Sequence, residues 1–458
     1  MESTAQKRLD GRNKYFFGLG TVGRDMFYAF EANALLYFLS NILSLPIGVF
    51  AGVSLVLSVL RIFDALNDPV TGLVIDNIRS PWGKFKPPMI VGAVLSVIFY
   101  LILFGNVGPY NAWFVVIFAV AYVLWDVTYG INDIAYWTLM PNLSQEQKSR
   151  EKIGAFARIC ANVGMYAVMV GWQPVTAALG NTPKAWFGVA VAVSVLMLGF
   201  QCFTWFGVKE DRERFKQEES TTLKQMVHVL FDNDQLMWTT LSMALFMIGY
   251  CTTTGFATYY MQYIFGDINM YAVLAGVCGV AQLAALIIFP AFSKKFNRRQ
   301  LYTAATVLVV VGYVVFAFAE VSIILIALAA VIIFVGQAFI QLLMLMFLAD
   351  TIEYGQWKLG KRNESITFSI QPLINKIGGA LSTAFISLSL ILSGIKTGDT
   401  AAESIDAGGK LVVKLAMFLI PLVFIVVGYF IYRRKYKLDE ETYANILAEL
   451  KEKGDIRE

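Results

Sequence analysis

Between Leu60 and Gly72 the chain reads LRIFDALNDPVTG, which sets Arg61, Asp64 and Asp68 inside an otherwise apolar helix. The two carboxylates are four residues apart and share one helical face, with Arg61 a turn earlier on nearly the same face. In a bilayer core each such charge costs roughly 2.5–3.5 kcal/mol on insertion scales. A membrane protein keeps such groups where they face a cavity, bind an ion or carry protons. A second constellation is Tyr129, Asp133 and Trp137, spaced i, i+4 and i+8 in one stripe, with Asp126 a turn before it. A carboxylate can accept two hydrogen bonds from neighbouring hydroxyls of a sugar, and a tryptophan face can pack against the apolar C–H face of the ring. A third group is Gln371, Asn375 and Lys376, with Pro372 among them. Proline removes one backbone donor and can open a helix beside a cavity. A lysine this far from both ends of an apolar stretch is read as facing a pore.

Charge balance sharpens the first two groups. The amino-terminal half places six acids (Asp25, Glu31, Asp64, Asp68, Asp126, Asp133) and three arginines (Arg24, Arg61, Arg158) in apolar stretches, so 3 − 6 = −3. Deep in a membrane that imbalance must be relieved by protonation, water or a bound cation. Ion-pair glue alone does not explain an excess of acids.

The elements that must position these residues are membrane helices. Of 458 residues, 57% are hydrophobic and 15% charged, against about 25% charged in soluble domains. About twelve apolar stretches are long enough to span a bilayer, the first at 15–42 and the last at 410–432. The first is too long for a signal-peptide core and is read as an uncleaved span. The longest polar segment, 209–235, includes VKEDRERFKQEES and separates six stretches from six. The expected organisation is an all-α integral membrane protein of two pseudo-symmetric six-helix bundles. Residues 1–208 form the first bundle, 209–235 a cytoplasmic linker, 236–434 the second bundle and 435–458 a cytoplasmic tail. With the amino terminus in the cytoplasm, about 29 of 37 basic residues fall on the cytoplasmic side, as the positive-inside rule requires. Both termini are therefore expected to be cytoplasmic, in a multi-pass protein of the cell membrane. Asp350 and Glu353, near the cytoplasmic end of the tenth stretch, are read as gate residues or inter-helix partners for the basic loops, with Arg362 beyond them as a further gate residue.

Other chemistries find little support. Cys160, Cys202, Cys251 and Cys278 all sit in apolar stretches with no zinc or disulfide spacing. The single histidine, His228, lies in the linker, so proton transfer within the membrane falls to carboxylates. No P-loop, nucleotide-binding domain, haem-type histidine pair or nucleophile–base set is visible. The sequence therefore argues against an ATP-driven pump, an electron carrier and an enzyme. No cofactor, nucleic-acid partner or obligate protein partner is indicated.

The segments GRD at 23–25, RIFDALNDPVTG at 61–72, RSPWGKFKP at 79–87, YGINDIAYWTLMP at 129–141, ADTIEYGQWKLGKRNES at 349–365 and SIQPLINKIGG at 369–379 are those of a known family. With them the chain resembles the glycoside–pentoside–hexuronide:cation symporters of the major facilitator superfamily, along nearly its whole length. The resemblance implies that Asp64, Asn67, Asp68 and Asp133 hold the coupling cation, the first three as ligands if it is sodium. It also implies that Arg24, Asp25, Tyr129, Asp133, Trp137, Arg158, Gln371 and Lys376 bind sugar, so that Asp133 serves both sites. Asp25 and Arg158, opposite charges at family sugar positions, are expected to act as partners. There are departures. Gly130 stands where the family pattern has a threonine that supplies a cation oxygen, which leaves protons as plausible as sodium or lithium. Gln341 replaces a tryptophan and Pro372 a threonine, and Glu31 and Asp126 are additional acids.

The expected function is cation-coupled import of a sugar or glycoside by alternating access, driven by Na⁺ or H⁺, with Li⁺ a further possibility. The alternatives at this stage are a cation-coupled carrier of another solute, such as a lysolipid, and a non-transporting sugar sensor. A lipid path would show an apolar lateral opening, and a sensor would carry a signalling domain.

Overall fold

In hydrocarbon a backbone must satisfy its own hydrogen bonds, so an apolar chain of this kind folds as helices. The computed structural model describes residues 4–76, 80, 82–83, 85–105, 108–143, 147–209, 223–319, 322–360, 364–395 and 405–452. Among the described residues there are fourteen α-helices and no strand. They are α1 (Thr4–Tyr37), α2 (Ile47–Asp76), α3 (Lys86–Leu103), α4 (Ala112–Leu139), α5 (Gln147–Ala178), α6 (Pro183–Cys202), α7 (Leu223–Asp232), α8 (Asp234–Tyr260), α9 (Met270–Ser293), α10 (Arg298–Ala317), α11 (Ile323–Leu359), α12 (Glu364–Leu392), α13 (Ala407–Lys435) and α14 (Glu440–Glu452).

Twelve of these helices have 18 residues or more; α7 and α14 are the short ones. Among the described residues, ten are long and apolar enough to cross a membrane. The remaining two long helices, α1 and α2, are those that carry Arg24, Asp25 and Glu31, and Arg61, Asp64 and Asp68. Helix ends follow local signals. The Asn111 side chain accepts from the Trp113 N–H at the start of α4 (2.9 Å), and Asn297 with Gln300 forms a reciprocal capping box at α10. Gly360, in the left-handed region (φ 68°), ends α11. The 209–235 segment holds the amphipathic helix α7 and the tail after 435 holds α14, two helices that the sequence reading did not name.

The chain divides into two compact units, Met1–Ser220 and Thr221–Ile395 with Ala401–Glu458. The units share one packing scheme. In the first, the leading helix α1 packs on α5 and α6, while α4 packs on α2 and α3. In the second, the leading long helix α8 packs on α12 and α13, while α11 packs on α9 and α10. The fifth and sixth long helices of each unit thus clasp the first, and the fourth clasps the second and third.

Close approach of α1 to its neighbours depends on small residues, the usual device where helices pack in lipid. A Cβ on Gly23 would sit 2.6 Å from the Leu196 carbonyl oxygen and 2.8 Å from Met197 Cα of α6. A Cβ on Gly164 of α5 would collide with the Val22 carbonyl of α1. These contacts flank Arg24 and Asp25 and fix the height of α1 in its bundle. In the second unit, Ser242 donates to the Gly428 carbonyl (2.8 Å), tying α8 to α13. Asn233 donates to the Thr351 carbonyl (2.8 Å), tying the start of α8 to α11. Helix α14 buries Ile446 and Leu450, with Leu438 just before it, against Tyr354 and Tyr436.

Candidate functional site

The first unit gathers a charged cluster from three helices. Arg24 of α1, 3% exposed, donates from Nη1 to Asp133 Oδ1 of α4 (2.6 Å) and from Nη2 to Asp25 Oδ2 (2.9 Å). The two carboxylates are more open than their partner, with side chains 27% and 39% exposed. One buried guanidinium therefore holds two carboxylates at the edge of accessible space. Each contact is a charge-assisted hydrogen bond, roughly twice as strong as a neutral one. Trp137 lies against the same cluster: the Arg24 guanidinium is 4.8 Å and that of Arg158 from α5 is 4.9 Å from its ring centre. Arg24 also lies 4.9 Å from the Tyr136 ring. Tyr129 sits one turn along α4 from Asp133, buried between Trp125 and Tyr28 in a near-parallel stack.

Six of the sequence-derived residues, Arg24, Asp25, Tyr129, Asp133, Trp137 and Arg158, are thus brought together. The pairing differs from expectation. Asp25 bonds Arg24, its sequence neighbour, while Arg158 stacks on Trp137 and acts on Asp25 and Asp133 through space. Adjacent residues on a helix point about 100° apart, but a long arginine can reach back to a short aspartate. With two arginines and two carboxylates, the cluster is formally neutral (2 − 2 = 0). The −3 excess of this half therefore resides in Glu31, Asp64, Asp68 and Asp126 against Arg61 (1 − 4 = −3).

Asp64, Asn67 and Asp68 fall on α2, and their side chains lie outside the described residues. Glu31 is 2% exposed and accepts from the Tyr122 hydroxyl (3.2 Å); Asp126 is 8% exposed. A Cβ on Gly130 would meet nothing within 4 Å, so a side chain has room there. In the second unit, Gln371 and Lys376 are half-buried on α12, which runs as one helix through Pro372. Gln341 of α11 accepts from the Gln282 amide of α9 (3.3 Å). Asp350 pairs with Arg298 of α10 and accepts from the Tyr436 hydroxyl (3.1 Å), while Glu353 accepts from Tyr443 of α14 (3.4 Å). Arg362 lies outside the described residues.

The family model for MFS/sugar transport protein matches residues 16–440 of this chain. This chain belongs to that family. It is a multi-pass membrane transporter of the sugar-transport class and not an enzyme. It is 34% identical to the lactose permease of Lactobacillus delbrueckii subsp. bulgaricus over 97% of this chain and 73% of the relative. The raffinose carrier protein of Pediococcus pentosaceus is 32% identical over 95% of this chain and 71% of its own length. Among solved structures, a D-xylose–proton symporter superposes with a TM-score of 0.65 at 12% identity, covering 92% of this chain and 97% of that one. That likeness establishes the same fold.

Sequence reading missed the groups that hold this MFS site in shape. Asn132 of α4 and Gln201 of α6 exchange two amide hydrogen bonds (2.9 and 2.8 Å), and Asn132 also donates to the Met89 carbonyl of α3 (2.7 Å). Both side chains are fully buried. The Tyr136 hydroxyl bonds the Phe17 carbonyl and meets the Thr204 hydroxyl (3.1 Å). Thr204 in turn donates to the Phe16 carbonyl (3.0 Å). Lone amides in apolar spans were the available signal, because a buried amide needs partners. Their partners lie 43 to 69 residues away in the chain, and a single sequence carries no pairing information.

Proposed function

We propose that this transporter imports a sugar or glycoside together with a monovalent cation, by alternating access of two six-helix bundles. The observation that carries this reading is the Arg24 fork with its two half-exposed carboxylates beside Trp137. Asp25 and Asp133 accept hydrogen bonds from sugar hydroxyls, and the indole packs against a sugar C–H face. Arg24 holds both carboxylates in place, with Arg158 on the Trp137 ring beside them. Relatives called lactose permease and raffinose carrier protein support a glycoside substrate. So charged and tight a cluster suits a hydroxylated solute better than a lipid. In the second bundle, Gln371 and Lys376 supply further donors.

The coupling cation is assigned to Asp64, Asn67 and Asp68 of α2, with Asp133 shared. The neutral balance of the sugar cluster favours this division, since the uncompensated negative charge lies elsewhere. Either Na⁺ or H⁺ satisfies it: a sodium ion wants several oxygen ligands, and a proton needs one carboxylate raised by its like-charged neighbours. The chain sits in the cell membrane with both termini in the cytoplasm, as the distribution of lysine and arginine indicates. Residues 1–208 and 236–434 are the two bundles, joined by 209–235 and followed by a tail at 435–458. The Asp350–Arg298 pair, with Glu353, holds the cytoplasmic end of α11 to α10 and α14, where it acts as a gate latch with Arg362.

Linkage provides the test. If cation and sugar bind cooperatively, each raises the affinity for the other by one factor. Isothermal titration of purified protein with lactose, with and without Na⁺ and across a pH series, should show tighter sugar binding with one cation. Gly130→Thr should shift the preference toward Na⁺ by adding a hydroxyl where there is room. Sugar affinity indifferent to Na⁺, Li⁺ and pH would remove the coupling assignment.

A further inference from the structure

Tyr28 is the one member of the site's aromatic stack that is open. Trp125 and Tyr129 stack with centroids 5.7 Å apart and planes 13° apart, and Tyr129 and Tyr28 continue the stack at 5.7 Å and 16°. Trp125 is 2% exposed and Tyr129 9%, while Tyr28 is 47% exposed. Tyr28 lies three residues after Asp25 and four after Arg24, so it shares their face of α1. The electrostatic neighbours of Tyr129 include Arg24, Asp25, Asp133 and Tyr28 together. The exposed ring therefore borders the charged cluster.

The order along the helices is what makes this informative. α1 and α4 present their residues in opposite chain directions at the cluster. Along α4 the sequence Trp137, Asp133, Tyr129 puts an aromatic ring a turn to either side of the carboxylate. Along α1 the step from Arg24 and Asp25 to Tyr28 runs toward the Tyr129 end. The polar centre is thus flanked by Trp137 on one side and the Tyr28–Tyr129 pair on the other. Eight helical residues separate positions 137 and 129, a rise of ~12 Å, which is the reach of two pyranose rings joined end to end and more than one ring fills.

We propose that Tyr28 is a specificity-determining residue, a stacking platform for the second ring of a glycoside whose first ring is held by Asp25, Asp133 and Trp137. Its buried partners Tyr129 and Trp125 hold the ring at a fixed angle, so little side-chain freedom is lost when a sugar packs on it. The substrate class that follows is a disaccharide, a longer oligosaccharide or a glycoside with a flat aglycone. A monosaccharide gains nothing from Tyr28. This inference rests on the assignment of the Arg24–Asp25–Asp133 cluster as the sugar site.

The test compares lactose with galactose on the purified full chain, for the wild type, Tyr28→Ala and Tyr28→Phe. Tyr28→Ala should weaken lactose binding about tenfold, equivalent to about 1.4 kcal/mol, and leave galactose binding unchanged. Tyr28→Phe, which keeps the ring, should restore most of the lactose affinity. Equal loss for both sugars in Tyr28→Ala would mean that Tyr28 only supports Tyr129, and would overturn the proposal. Unchanged lactose binding would overturn it as well. The sugar-site assignment is judged separately: if Asp25→Ala abolishes lactose binding while Tyr28→Ala has no effect, only the second-ring subsite fails. If neither sugar binds the wild type, both fail.

Discussion

Arg24 decides the chemistry of the cluster at the scale of single residues. It is buried and forked between Asp25 and Asp133, so it acts as a template that sets the spacing of two acceptors. Arg24→Lys keeps the charge, but one ammonium lacks the planar fork that holds two carboxylates apart. The expected outcome is a folded, membrane-inserted protein whose sugar affinity falls about tenfold or more, about 1.4 kcal/mol, measured by titration against lactose. Wild-type affinity in Arg24→Lys would show that the fork is not needed. Asp25→Ala should also abolish sugar binding. It leaves Arg24 still bonded to Asp133, so the expected destabilisation is about 1–3 kcal/mol, below the roughly 3–5 kcal/mol of a buried charge left wholly unpaired. The types and helical spacing of these residues could be read from the chain because a charge in an apolar stretch is costly and needs a reason. Which charge meets which could not. Arg158 and Asp25 look like partners by position, yet the reach of a long side chain gives Asp25 to Arg24 and Arg158 to the Trp137 ring.

At the scale of elements, α4 carries Tyr129, Asp133 and Trp137, so its rotation about its own axis must be held to within roughly 10–20°. Asp133 on one face and Asn132 on the next turn that requirement into a pair of tasks. Asn132 locks α4 to α3 and α6 through Met89 and Gln201, which leaves Asp133 directed at Arg24. Asn132→Leu would strand the Gln201 amide in the bundle interior and release α4 from the Met89 carbonyl of α3. The expected cost is about 1–3 kcal/mol per unsatisfied group, seen as a lower thermal midpoint in detergent, with weaker sugar binding as α4 loosens. The double variant Asn132→Leu/Gln201→Leu should recover part of the stability, because both amides are then gone. A double variant no more stable than the single would mean that packing, not hydrogen bonding, sets the cost. Helix existence was readable from apolar run length; helix ends were less so. α1 begins at Thr4 and α11 continues to Leu359, because hydrogen bonding carries a helix past the apolar stretch into water until a signal such as Gly360 stops it. The amphipathic helices α7 and α14 leave no apolar run long enough to cross a membrane, so apolar run length does not show them.

For the whole molecule, the same packing scheme recurs in both units, as expected of a carrier built from two parallel repeats. One long polar segment and the spacing of apolar stretches are what suggested a six-plus-six division, and the chain does divide into two compact units. The repeat itself was nearly invisible in sequence, because lipid-facing positions accept many apolar side chains and keep no common residues. The charges were again the exception. On the proposed assignment a coupling cation relieves the excess acids of the first half, and a sugar that docks with it ties its own movement to that charge. Symport is the consequence, and it is directly measurable. Purified protein is reconstituted into vesicles, and lactose uptake is followed under an imposed Na⁺ gradient, an imposed proton gradient, and neither. One of the two gradients should drive lactose above its equilibrium level, and Asp68→Asn should abolish that accumulation while retaining lactose exchange. Uptake that only ever reaches equilibrium, whichever gradient is applied, would contradict symport and leave a uniporter in its place.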